Sequence, residues 1–176
     1  MRIDPWTAAA APRSEDLVKS IEARRGGTLF NLDRMLLWSE PVARGWNGYL
    51  RALRQEISLS PFLRELVICV VARLTGARYE YHHHAPELTK AGATDAQLAI
   101  LDDPDAAAAS PLYDELQRAV IRFAIASTRH VQVPDALFDE LKRRLSPTEL
   151  VELVASTAAY NMVARFLVAL DVTPEE

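Results

Sequence analysis

The segment Phe62–Leu74 is apolar around almost its whole circumference when it is written as a helix, with only Arg64, Glu65 and Arg73 as charged interruptions. A helix without a continuous polar face has to be covered on most sides by other parts of the protein. The segment Val151–Leu170 has the same character and carries many alanines, which allow close helix packing. Two such helices in a chain of 176 residues predict a helical core. They also predict that a second copy of the chain covers part of it.

Helical periodicity runs along the chain from Ser14, and helix-start signals recur within it. Serine followed by proline marks three predicted starts, because serine caps free amides and proline fits the first helical turn. These starts are Ser60-Pro61, Ser110-Pro111 and Ser146-Pro147. The predicted helices cover residues 14–25, 29–38, 41–56, 60–75, 78–91, 94–101, 111–129, 134–145 and 147–170. The predicted fold class is all-α, with an N-terminal extension (residues 1–13) before a single domain (residues 14–176).

Composition and charge limit the cellular compartments and the partners that the sequence predicts. No run approaches the about 18 to 20 apolar residues of a membrane span, and the N-terminal residues lack a secretory signal. A net charge of −4 argues against a nucleic-acid-binding face. The single cysteine, Cys69, cannot form an internal disulfide, which fits a reducing compartment. We therefore expect a cytoplasmic protein without a membrane or nucleic-acid partner, and we expect Asp102–Ala109 to be an exposed linker.

The richest group of chemically active side chains surrounds the three histidines at positions 82–84, out of four in the chain. Helical spacing places Glu80 and His84 on one face of the predicted helix. The same spacing places Tyr79 and His83 on a neighbouring face. This segment is therefore the first candidate for a functional site.

Glu65 belongs to the preceding helix, and Gly76 lies between the two helices. If a turn at Gly76 folds the second helix back on the first, Glu65 approaches Glu80 and His84. Two carboxylates and an imidazole in a partly apolar pocket drive their pKa values apart, which supplies a proton donor and a base near neutral pH. The alternative is a structural network in which Glu65 pairs with an arginine such as Arg64.

Metal binding is not predicted at the histidines. His82 and His84 have Pro86 and Leu88 where a second histidine would complete a helical metal-binding pair. Glu80 with His84 supplies two ligands, fewer than a zinc site uses. We expect no metal.

These residues closely resemble the carboxymuconolactone decarboxylase family, whose superfamily also holds the alkylhydroperoxidase D (AhpD) proteins. The resemblance extends over roughly residues 30–170, and the core motif is specific. The matching segments are Leu59–Ile68, Ala72–His84, Asn31–Leu36, Ala91–Thr94, Glu152–Leu153 and Tyr160–Arg165. The resemblance implies an AhpD-like helical fold that assembles into homo-oligomers, often trimers or hexamers.

The peroxidase branch of this superfamily carries a glutamate, a Cys-x-x-Cys pair and a histidine. Mapped onto this chain, the glutamate is Glu65 and the histidine is His84, but Ala77 and Glu80 occupy the cysteine positions. Neither side chain can act as a thiolate nucleophile. Dithiol peroxidase activity is therefore not expected, and residual peroxidase chemistry at Cys69 is the weakest alternative.

The decarboxylase branch lacks the cysteine pair and resembles this chain better. Its reaction removes a carboxylate from a small lactone acid and delivers a proton to the dienolate-like carbon that results, without a cofactor. The resemblance implies that His84 is the proton donor, Glu80 its basic or orienting partner, and Glu65 the acid that tunes it. The second hypothesis is that the chain is a family member without turnover, which binds a ligand or only assembles into an oligomer.

A carboxylated substrate also needs a cationic or amide anchor. Arg34, Arg78 and Asn161 are candidates, and the sequence does not choose among them. Asn161 either points its amide into the pocket or caps a neighbouring helix. Tyr79 and His83 complete the predicted substrate-binding set.

Overall fold

The computed structural model describes residues 1–175, which form two compact units. Unit 1 comprises Met1–Glu56 and the C-terminal residues from Ala169 onward, and unit 2 comprises Ile57–Val168. All regular secondary structure in residues 1–175 is helical, which confirms the predicted fold class. The helices are α1 (Glu15–Arg25), α2 (Asn31–Leu36), α3 (Glu40–Gln55), α4 (Pro61–Thr75), α5 (Arg78–Lys90), α6 (Asp95–Ile100), α7 (Pro104–Ala109), α8 (Glu115–His130), α9 (Asp135–Lys142) and α10 (Pro147–Leu170).

Unit 1 contains α1 to α3 and includes the residues predicted to be an N-terminal extension, 1–13. Trp6 is buried, and its indole N–H donates to the carbonyl oxygen of Ala11 over 2.7 Å. The backbone N–H of Arg2 donates to the carbonyl oxygen of Leu170 over 2.9 Å. The first residues of the chain are thus packed into this unit.

Helix α4 is the most deeply buried helix of unit 2. Every residue from Glu65 to Ala72 is buried, and the helix packs against both α5 and α8. This burial on several sides is what its apolar circumference predicted.

Two of the three predicted Ser-Pro starts are confirmed. The Ser60 hydroxyl accepts a hydrogen bond from the Leu63 N–H over 3.3 Å at the start of α4. The Ser146 hydroxyl accepts from the Glu149 N–H over 3.2 Å, and the Glu149 carboxylate accepts from the Ser146 N–H over 2.8 Å. This reciprocal pair is a capping box, which stabilises the first turn of α10.

The predicted helix start at Ser110-Pro111 is wrong. Helix α8 begins at Glu115, and its cap is Asp114, whose carboxylate accepts from the Gln117 N–H over 2.8 Å. The Ser110 hydroxyl instead accepts from the Leu112 N–H over 3.2 Å within a turn. A serine before proline stabilises a turn as well as a helix start, and here the aspartate that follows is the stronger cap.

The predicted exposed linker Asp102–Ala109 is also wrong, because most of it forms α7. The Asp103 carboxylate accepts from the N–H groups of Asp105 and Ala106, both over 3.1 Å. Ala107 is fully buried in the core of unit 2. Alanine is the best helix former and is small enough to be buried, so an alanine run after a capped proline folds as a helix.

Helix α10 departs from the expectation that no segment is apolar enough to span a membrane. An 18-residue window within it has a mean hydropathy of 1.5, and 44% of that window is buried within this chain. The core helix of a globular protein passes the same test of length and composition. The expectation failed because it counted unbroken apolar runs, whereas the mean hydropathy of a window stays high when a few polar residues interrupt many apolar ones.

Candidate active site

Gly76 ends α4 and turns the chain into α5. Its φ angle of 69° lies in the left-handed region, which glycine adopts without a steric penalty. The N–H of Ala77 donates to the carbonyl oxygen of Ala72 over 3.0 Å and closes the last turn of α4. Helix α5 starts directly afterwards and packs against α4. Glu65 and His84 therefore face each other although 19 residues separate them in sequence.

Glu65 and His84 form a buried hydrogen bond, as the predicted turn at Gly76 requires. The imidazole Nδ1 lies 2.6 Å from the carboxylate Oε2, and only 2% and 4% of the two residues is exposed. An ionised carboxylate can only accept, so Nδ1 carries the hydrogen. The other ring nitrogen, Nε2, lies on the far side of the ring from this bond.

Glu80 faces this second nitrogen. Its carboxylate Oε2 lies 3.8 Å from Nε2 of His84, one helical turn further along α5, and Glu80 is also buried. The distance is longer than a hydrogen bond, which leaves a short gap between the two groups. The imidazole thus has a carboxylate on each side, one bonded and one close by.

The other oxygen of Glu65 is also engaged. Nε of Arg64 donates to Oε1 of Glu65 over 3.1 Å. The sequence left two roles open for Glu65, a proton network and an arginine pair, and the structure combines them. The result is a polar row of Arg64, Glu65, His84 and Glu80 where α4 packs against α5.

Tyr160 of α10 completes the surroundings of His84, and the sequence prediction missed it. The two rings meet edge to face, with centroids 5.0 Å apart and planes at 86°. The sequence showed a polar interruption at this point of α10, but the expectation centred on Asn161. The Asn161 amide instead donates to the Thr128 hydroxyl over 2.9 Å and accepts from Arg165 over 2.9 Å. Adjacent residues on a helix point about 100° apart, so Tyr160 faces His84 and Asn161 joins α10 to α8.

The remaining predicted substrate-binding residues lie elsewhere. The rings of Tyr79 and His83 contact each other, with centroids 4.4 Å apart, on a different face of α5. Arg78 is exposed at the first position of α5. Arg34 belongs to unit 1, where its guanidinium donates to the Trp6 carbonyl oxygen over 3.5 Å.

Comparison with known proteins agrees with this arrangement. The sequence profile of the carboxymuconolactone decarboxylase family matches residues 40–126, a span that contains Glu65, Glu80 and His84. The chain belongs to the carboxymuconolactone decarboxylase family. No curated protein matches it significantly.

Several solved structures share the fold of this chain. The alkylhydroperoxidase AhpD core of an uncharacterized peroxidase-related protein from Ralstonia eutropha JMP134 is 18% identical, with a TM-score of 0.84 over 99% of this chain and 92% of that chain. A cysteine-to-alanine variant of the debrominase Bmp8, in complex with 2,3,4-tribromopyrrole, is 22% identical, with a TM-score of 0.77 over 99% and 92%. A peroxidase-related protein from Silicibacter sp. TM1040 is 17% identical, with a TM-score of 0.77 over 99% and 89%.

The cysteine pair that the peroxidase branch carries is replaced in this sequence. Ala77 and Glu80 occupy the positions of the cysteine pair, and Cys69 is fully buried within α4. Burial raises the pKa of the Cys69 thiol, and the nearby carboxylates of Glu65 and Glu80 raise it further. A thiol held in its protonated form is a poor nucleophile. Within residues 1–175, no group of three or more His, Cys, Asp and Glu side chains is arranged to hold a metal ion.

Proposed function

We propose that this protein is a cofactor-free acid–base enzyme that acts on a small carboxylated lactone or a related aromatic-degradation intermediate, in the manner of a carboxy-lyase. The observation that carries the proposal is the buried imidazole of His84 between two carboxylates. Glu65 bonds its Nδ1 over 2.6 Å, and Glu80 lies 3.8 Å from its Nε2. Glu65 fixes the orientation of the ring, and Nε2 with Glu80 exchanges the proton.

In the proposed reaction, the bond between the lactone ring and its carboxylate breaks, and carbon dioxide leaves. The electron pair of that bond stays on the ring as a conjugated enolate. His84 donates the proton on Nε2 to the ring carbon, and Glu80 stabilises the imidazolium before transfer. A proton from solvent then restores His84. One proton enters, one carbon dioxide leaves, and no electron acceptor is needed.

The test of this function is a His84→Gln variant assayed for carbon dioxide release from candidate carboxylated γ-lactones. We expect turnover to fall by about 100-fold or more, the usual scale of a lost general acid. His82→Gln is the matched control, because His82 is exposed on the same helix and should keep wild-type turnover. Full turnover in His84→Gln would contradict the proposal. Ligand binding without turnover in the wild type would favour the non-catalytic alternative, and peroxide consumption abolished by Cys69→Ser would favour the peroxidase alternative.

We also propose that the protein acts as a cytoplasmic homo-oligomer. One side of α10 exposes an apolar stripe in this chain: Val151 is 68% exposed, Val154 40% and Met162 41%. Helical spacing aligns these residues on one face. A second copy of the chain would bury that face, in accord with the trimers and hexamers that the family resemblance implies.

A charge on this stripe should reduce assembly. We expect Met162→Glu to lower the mass in solution to that of a smaller species, because each contact would bury a carboxylate against apolar side chains. The mass can be measured by light scattering after size-exclusion chromatography. Lys142→Glu, at an exposed position of α9, is the control and should leave the mass unchanged. An unchanged mass in Met162→Glu would place the interface elsewhere.

A further inference from the structure

Tyr160 gives His84 a second contact, of a different kind from the hydrogen bond to Glu65. The two rings lie nearly perpendicular, with 86° between their planes and 5.0 Å between their centroids. Only 3% of Tyr160 and 4% of His84 is exposed. Perpendicular aromatic pairs at this separation are favoured, because the positive edge of one ring meets the negative face of the other. The pair is therefore a directional contact inside the protein.

The hydrogen bond to Glu65 does not by itself fix the plane of the imidazole. It holds one ring atom, Nδ1 of His84, 2.6 Å from the Glu65 carboxylate and leaves rotation about the line between these two atoms. The torsion that turns a histidine ring about its Cβ–Cγ bond has broad minima, so packing decides its value. Glu80 makes no hydrogen bond to the ring from the other side, because 3.8 Å from its Oε2 to Nε2 is too long for one. A further contact has to set the direction of Nε2.

Helix α10 presents Tyr160 where the rotation of the helix about its own axis is fixed. The adjacent Asn161 amide donates to the Thr128 hydroxyl of α8 over 2.9 Å. Eight residues before Tyr160, the Glu152 carboxylate accepts from the Leu59 N–H over 2.7 Å, just before α4 begins. These two bonds tie α10 to α8 and to the segment that leads into α4, so the direction of the Tyr160 side chain is set by the fold.

We propose that Tyr160 is a positioning residue whose ring sets the plane of the His84 imidazole and so directs Nε2 toward Glu80. The inference rests on the proposed function in one respect, because that function makes Nε2 the atom that exchanges the proton. The ring of Tyr160 makes the contact, so its hydroxyl is not required. Phenylalanine should therefore replace Tyr160, whereas leucine, which has neither an aromatic edge nor a face, should not.

The first measurement needs neither ligand nor turnover. It follows the Nδ1–H proton of His84 by NMR in protein with isotope-labelled histidine, and the signal is assigned by its loss in His84→Gln. We expect this proton to exchange with water about three- to tenfold faster in Tyr160→Leu, the change in population that one edge-to-face pair sustains. Tyr160→Phe should stay within about twofold of the wild-type rate, because it keeps the ring.

Tyr113→Leu is the matched control, because it also removes a buried tyrosine ring from unit 2. Tyr113 is fully buried, and its hydroxyl donates to the carbonyl oxygen of Gln97 over 2.8 Å. We expect this variant to lose stability as Tyr160→Leu does but to keep the wild-type exchange rate at His84. If Tyr160→Leu folds poorly, Tyr160→Met takes its place, because the flexible methionine side chain fills irregular space.

Three results of this measurement would overturn the inference. A wild-type exchange rate in Tyr160→Leu would show that the ring does not hold His84. Equal acceleration in Tyr160→Leu and Tyr113→Leu would show general loosening of the core. The exchange rate of Tyr160→Leu in Tyr160→Phe would assign the effect to the hydroxyl.

The second measurement follows turnover of candidate carboxylated γ-lactones. We expect kcat of Tyr160→Leu to fall about three- to tenfold while KM stays within about twofold, because the direction of Nε2 acts on proton transfer and not on binding. Tyr160→Phe should restore kcat. A raised KM with an unchanged kcat would assign Tyr160 to ligand binding and overturn the positioning role.

Failure of the two proposals is distinguishable. Faster exchange in Tyr160→Leu, in a protein that turns over no candidate lactone, rejects only the reaction. A wild-type exchange rate in Tyr160→Leu, together with lost turnover in His84→Gln, rejects only the positioning role.

Discussion

Glu65→Ala is expected to lower the free energy of unfolding by about 3–5 kcal/mol, the cost of leaving a buried charge without its partner. Glu65 accepts from Arg64 with one oxygen and from His84 with the other. The variant therefore removes both acceptors at once, and the His84 ring that loses its partner is itself buried. Chemical denaturation followed by circular dichroism measures the change.

Two further variants sharpen this prediction. Glu65→Gln keeps an oxygen that can accept from His84 but removes the charge, so we expect a smaller loss of stability and a loss of turnover close to that of His84→Gln. Glu87→Ala is the control, because Glu87 is a partly exposed residue of α5 that pairs with Lys90, and its effect should stay within about 0.5 kcal/mol. The row is not a coupled network if the free energy of unfolding of Glu65→Ala lies within about 1 kcal/mol of the wild-type value. Such a difference is smaller than the about 1.4 kcal/mol that corresponds to a tenfold change in an equilibrium constant.

Asp33→Ala is expected to destabilise unit 1 by a similar amount, about 3–5 kcal/mol. The Asp33 carboxylate is buried and accepts from Arg24 over 3.2 Å, from Arg25 over 2.9 Å and from the Phe30 N–H over 3.0 Å. Removing it leaves two guanidinium groups that are themselves 6% and 10% exposed without their common carboxylate.

The control for Asp33 is Asp16→Ala, at an exposed position in the first turn of α1. We expect it to cost less than about 1 kcal/mol, the scale of a charge near a helix N-terminus. Thermal unfolding of both variants alongside the wild type gives the comparison. If the two substitutions lower the midpoint temperature of unfolding equally, burial of the two arginines does not depend on Asp33.

The predicted contact between Glu65 and His84 depended on two local signals. Glycine at position 76 indicated where α4 ends, and helical spacing put Glu80 and His84 on one face of α5. Both signals come from backbone sterics and helix geometry, which act within a few residues. For that reason they were readable before any tertiary contact was known.

Errors arose where one local pattern fits two structures. Asp102–Ala109 has the composition of a linker, yet its alanines pack as α7 because the core of unit 2 accepts a small residue at Ala107. Ser110-Pro111 begins a turn and not a helix because Asp114 provides the cap for α8. Burial in the core decides the structure of the first segment, and the capping residue Asp114 decides where the second helix begins.

By itself, the amino-acid order determined that the chain is helical, where most of its helices begin and end, and that a carboxylate would meet an imidazole across the turn at Gly76. Packing between distant helices decided the rest. It turned Tyr160 toward His84 and Asn161 toward Thr128. The orientation of a helix about its own axis is set by the total apolar surface it buries against its neighbours, and that quantity exists only once the chain has folded.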